Sequence, residues 1–73
     1  MPKVPRDLTQ DETVRAFLKA GGVELKARGK GSHRNIEMPN GATLTIPYHV
    51  KPGLISASIK QAGLTLEEYL ELL

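Results

Sequence analysis

The 73-residue chain has no cysteine. That excludes a disulfide scaffold, a thiolate metal site and a cysteine nucleophile, and it fits a reducing, cytoplasmic setting. Long apolar runs are also missing. None approaches the roughly 20 residues that a bilayer-spanning helix requires, and the N-terminal segment lacks a signal-peptide core. Apolar residues make up 40% of the chain and charged residues 25%, ordinary values for a folded soluble domain. The chain therefore reads as neither transmembrane, secreted nor mainly disordered. Internal repeats and low-complexity tracts are lacking, as are a Walker loop, a dinucleotide-binding glycine fingerprint and histidine-rich zinc spacing. Its two histidines, His33 and His49, are too isolated to suggest a metal site, so neither metal nor cofactor is expected.

What is present is an uneven charge distribution behind a net charge of +2. Residues 24–60 carry six cations and two anions, whereas residues 61–73 carry three glutamates and no cation. Within the basic stretch, Lys26, Arg28, Lys30 and Arg34 have no acid among them. Such a cluster suits a polyanion, most obviously a nucleic acid. It equally suits a solvated lysine-rich edge that discourages aggregation. Charge alone leaves the two readings even.

The periodicity defines one small domain: an irregular lead-in over 1–8, then a folded unit over 9–73. Thr9 and Glu12 form a capping box, and Val14, Phe17 and Leu18 follow at helical spacing up to Gly21-Gly22. A helix is expected from about Gln10 to Ala20. Val23, Leu25 and Ala27 then alternate with Glu24, Lys26 and Arg28, the pattern of a half-buried strand with the apolar set inward. After the Gly29–Ser32 turn, Ile36 and Met38 mark a second strand, with His33, Asn35 and Glu37 on its other face. Pro39-Asn40-Gly41 signals a hairpin, and Ala42, Leu44 and Ile46 mark a third strand. A helix over 54–62 ends at Gly63, and a short helix begins at Thr65, where Thr65 and Glu68 repeat the capping box. The result is an α+β fold, α-β-β-β-α, in which helices cover one face of a three-stranded antiparallel meander and a short helix closes the chain. Double-stranded RNA-binding domains share this order of elements.

His33 follows Gly31-Ser32 at the mouth of a basic turn. A histidine titrates near pH 6.5 and can exchange protons at neutral pH. RNA carries its own nucleophile, the 2′-hydroxyl. Cleavage through that hydroxyl needs a base, cations for the phosphate charge and an acid for the leaving oxygen. His33 among lysines and arginines supplies the first two, although an exposed histidine without function fits its position at least as well. In a meander, the start of the second strand and the end of the third lie at one end of the sheet, so His49 of Pro47-Tyr48-His49 can approach His33. His49 then serves as a proton donor, a phosphate contact or a structural group. Tyr48 either stacks on a base or packs at the core edge.

Three segments in order carry a resemblance: Gly31-Ser32-His33, then Thr45-Ile46-Pro47-Tyr48-His49, then Ile59-Lys60-Gln61-Ala62-Gly63-Leu64-Thr65-Leu66-Glu67-Glu68-Tyr69. Together they resemble the HicA toxin family, from about Thr13 to the C-terminus. The chain departs from the usual pattern at Gly22, where an aromatic is common, at Arg34, where a second histidine is common, and over residues 52–58. The resemblance implies the toxin of a type II toxin–antitoxin pair, with the double-stranded RNA-binding fold. Such a protein cleaves mRNA in the bacterial or archaeal cytoplasm, arrests translation, and touches neither membrane nor, by itself, DNA. It also implies a HicB-type antitoxin that covers the active face, and a catalytic role for His33. The expected RNA contacts are Lys26, Arg28, Lys30, Gly31, Ser32, Arg34, His49, Lys51 and Lys60. Two other readings stand beside it. One is a non-catalytic RNA-binding module of the same fold. The other is a small interaction module using the acidic tail of Glu67, Glu68 and Glu71.

Overall fold

The first helix, α1, spans Gln10–Lys19, and both halves of its capping box form. The Thr9 hydroxyl accepts from the Glu12 amide at 3.1 Å, and the Glu12 carboxylate accepts from the Thr9 amide at 3.0 Å. Two donors that would otherwise lack partners are thereby satisfied. At the other end, Gly22 donates to the Phe17 carbonyl and Gly21 to that of Leu18, with Gly21 at φ +100. This is a Schellman stop. The computed structural model describes residues 3–25 and 33–73 of the chain.

Three strands follow: β1 (Val23–Leu25), β2 (Arg34–Glu37) and β3 (Thr43–Ile46), in the order β1-β2-β3 and antiparallel throughout. The hairpin between β2 and β3 turns on Pro39-Asn40-Gly41. Met38 donates to Ala42 and Gly41 to Met38, and of the turn residues only Gly41 has positive φ. The Asn40 side chain accepts from the Ala42 amide, while its amide nitrogen donates to the Gln61 carbonyl, 2.9 Å away. The second helix, α2, spans Pro52–Gln61, beginning two residues before its expected start because proline is well suited to the first helical position. It ends with the same stop as α1, built on Gly63 at φ +75. The last helix, α3, spans Leu66–Glu71 and carries the second complete capping box, Thr65 with Glu68. The α-β-β-β-α order and the open three-stranded sheet agree with the expected fold.

The core lies between the sheet and the helices. It unites Val14 and Phe17 of α1, Ile36, Met38, Leu44 and Ile46 from the sheet, Ile55, Ile59 and Ala62 from the second helical region, and Tyr69 of α3. The Tyr69 ring lies 4.7 Å from that of Phe17, centroid to centroid, and its hydroxyl donates to the Thr13 carbonyl at 3.3 Å. Burial pushes the Tyr69 phenol up to about 12, so it remains a protonated structural donor at neutral pH.

One expectation is overturned. Val23 and Leu25 are not inward: they are 62% and 39% exposed. The register explains why. Val23 pairs with Glu37 and Leu25 with Asn35, while Glu24 pairs with the buried Ile36. Directly paired residues share a face, so the helix-side positions of this segment are 22 and 24. Gly22 occupies the first of them. A β-carbon there would lie 2.7 Å from Ile36 Cγ2, 2.8 Å from Met38 Sδ and 2.9 Å from the Phe17 carbonyl oxygen. The core has no room for a side chain at this point, and the apolar residues of β1 turn to the open face. Ala27, the third member of the expected inward set, lies outside the described residues.

Candidate nucleic-acid interface

His33 is exposed and immediately precedes β2. The pairing of Arg34 with Ile46 sets the entry of β2 beside the exit of β3. Among the described residues, four pieces of chain therefore meet at this end of the sheet. They are the entry of β2, the Pro47-Tyr48-His49 connector, the N-cap of α2 at Lys51, and the first turn of α1. The last is tied in by Gln10, whose side-chain amide donates to the Ile46 carbonyl at 3.0 Å. Strand alternation carried one residue back puts His33 on the open face with Asn35, whose side-chain oxygen accepts from the Thr45 hydroxyl at 2.9 Å.

Tyr48 is 64% exposed, so it is a surface aromatic and not an edge piece of the core. It lines a hollow of about 260 Å³ together with Thr9, Gln10 and Asp11. The ring of His49, itself exposed, lies edge-on to that of Tyr48, with 5.1 Å between centroids. Lys51 is exposed, and as N-cap of α2 it makes no side-chain cap bond. Lys60 is not part of this end. It lies in the last turn of α2, next to the Gln61 carbonyl that holds the β2–β3 hairpin. Lys51 and Lys60 are roughly 13 Å apart along the helix axis.

By sequence, Arg34 groups with the basic cluster. Its guanidinium instead grips two carboxylates: Nε and the terminal nitrogen Nη2 meet the two Glu24 oxygens at 2.7 and 2.8 Å, and Nη1 meets Asp11 at 3.1 Å. Asp11 also pairs with Arg15 at 2.9 Å. The hydrogen bond from Arg34 holds the Glu24 carboxyl below its ordinary value of 4.5, and these carboxylates push Arg34 further up. No local sequence pattern points to Glu24 and Asp11 as partners of Arg34, because the three residues come from β1, α1 and β2. The remaining expected contacts, Lys26, Arg28, Lys30, Gly31 and Ser32, lie outside the described residues.

A family model described as the HicA toxin of bacterial toxin–antitoxin systems matches residues 11–64, from the first turn of α1 to just past α2. The chain belongs to the HicA toxin family. No curated protein matches it. Within this HicA-family chain, the last of the three segments that carry the resemblance, Ile59 to Tyr69, is largely architectural. Ile59, Ala62 and Tyr69 are buried, and Gly63 and Thr65 form a helix stop and a helix start. Family membership makes the chain a toxin with an antitoxin partner. Among the described residues, no helix is long and apolar enough to cross a membrane.

Proposed function

We propose that the chain is a metal-independent endoribonuclease that cleaves mRNA, with His33 as its proton-transfer group. The observation that carries this is the placing of an exposed His33 at the sheet end where an exposed Tyr48, His49 and Lys51 also meet, in a family of toxins. His33 exchanges the proton of the ribose 2′-hydroxyl. The oxygen attacks the adjacent phosphorus, and the 5′-oxygen leaves as it gains a proton. Lys51 and His49 serve as phosphate contacts in this reading, and Lys26, Arg28, Lys30, Gly31 and Ser32 are assigned the same role from the sequence. Tyr48 offers a stacking surface for an unpaired base. Inhibition by a HicB-type antitoxin over this face, and action in the cytoplasm, belong to the same proposal.

The test uses the purified chain, free of antitoxin, with an mRNA substrate in EDTA. The expected result is cleavage to 2′,3′-cyclic phosphate ends, abolished in a folded His33→Ala variant. If the His33→Ala variant cleaves as well as the wild type, the assignment of His33 is wrong. Salt-sensitive binding without any products would leave an RNA-binding module in its place.

A further inference from the structure

We propose that Arg34 is the positioning residue for His33: its side chain clamps the entry of β2 to β1 and α1, and it is not a phosphate ligand. The inference rests on the ribonuclease reading above and adds a residue to it.

The described pairs between β1 and β2 run from Val23 with Glu37 to Leu25 with Asn35, and Arg34 pairs with Ile46 on its β3 side. On the β1 side, its side chain reaches diagonally to Glu24, which pairs with the next residue on the same face, Ile36. The fork-to-carboxylate contact at 2.7 and 2.8 Å fixes direction as well as distance, in a way a lysine cannot. The third bond, 3.1 Å to Asp11, ties the same group to α1. One side chain thus joins three elements directly beside His33. It also holds residue 34 on the helix side, and strand alternation then turns residue 33 to the open face. A guanidinium held by two carboxylates has little positive charge left to offer a phosphate. The exposed Arg15 on Asp11 completes a chain of alternating charge. The Arg34 and Glu24 side chains remain 29% and 33% exposed, so the fold is expected to survive their separation with a modest loss of stability.

Two substitutions separate the clamp from a phosphate contact, because the two roles predict opposite outcomes. Glu24→Gln removes the carboxylate that holds the Arg34 fork and leaves Asp11 as its remaining carboxylate partner among the described residues. A phosphate-binding Arg34 would then bind RNA at least as tightly and cleave at least as fast. The clamp predicts instead that kcat falls about tenfold or more, with KM and the salt slope of RNA binding unchanged. Arg34→Lys keeps the charge and loses the fork. The clamp predicts the same fall in kcat, whereas a phosphate contact predicts nearly full activity. Thermal midpoints within a few degrees of wild type would show that both variants fold. An unchanged or raised kcat in Glu24→Gln overturns the proposal.

A control with His33→Ala keeps this result distinct from the parent reading. If that variant is as active as wild type, the catalytic reading fails, and the clamp is then judged without activity. Backbone order parameters at His33 and Arg34 should fall in Glu24→Gln relative to wild type. Unchanged values would overturn the clamp on their own.

Discussion

Gly22 and Tyr48 show how differently two single positions are constrained. At Gly22 the surrounding atoms already stand closer than a β-carbon permits, two of them side-chain atoms of the core and one a backbone oxygen of α1. Gly22→Ala is therefore expected to destabilise the chain by about 1–3 kcal/mol, seen as a lower urea midpoint with little change in slope. Tyr48 is the reverse case. It is mostly exposed, so Tyr48→Ala should leave stability within about 0.5 kcal/mol of wild type. Loss of base stacking would weaken binding of single-stranded RNA by about 1–3 kcal/mol, measurable as the dissociation constant of a short oligonucleotide. If Tyr48→Ala binds as wild type does, Tyr48 has no part in the interface.

Among the elements, helices were far more legible in the sequence than strand faces. Both capping boxes, at Thr9 and Thr65, and both glycine stops could be read directly, because those signals are local. Thr9→Ala should cost about 1 kcal/mol in a denaturant titration through loss of its cap. The face of β1 was not legible. Val23-Glu24-Leu25 alternates as well as any inward-facing strand, and only the pairing of Glu24 with Ile36 shows that the alternation is inverted. The same limit hid the partners of Arg34, which come from two other elements. This pairing has a pH signature. Glu24 titrates below its ordinary value of 4.5 because Arg34 donates to its carboxylate. The contribution of the pair is fully present above that ordinary value and is lost as pH falls through the lower, folded one. Thermal midpoints between neutral pH and pH 3 should show a shallower acid decline in Glu24→Gln than in wild type. A decline of equal steepness would deny the pair any such contribution.

Across the whole molecule, the sheet divides two unlike ends. One gathers His33, Tyr48, His49 and Lys51; the other holds the β2–β3 hairpin against the end of α2, where Lys60 lies. The proposed interface therefore predicts that Lys51→Ala lowers the salt dependence of RNA binding by about one counterion, whereas Lys60→Ala leaves it unchanged. An equal effect from both would extend the interface along α2. The two tyrosines are divided between environments as well. Tyr69 is sealed against Phe17, and Tyr48 stands in water. With no tryptophan in the chain to outshine them, they form a pair of native optical reporters. Iodide should quench the emission of Tyr48 and spare that of Tyr69, so bound RNA can be followed at one ring and unfolding at the other, without attaching a dye.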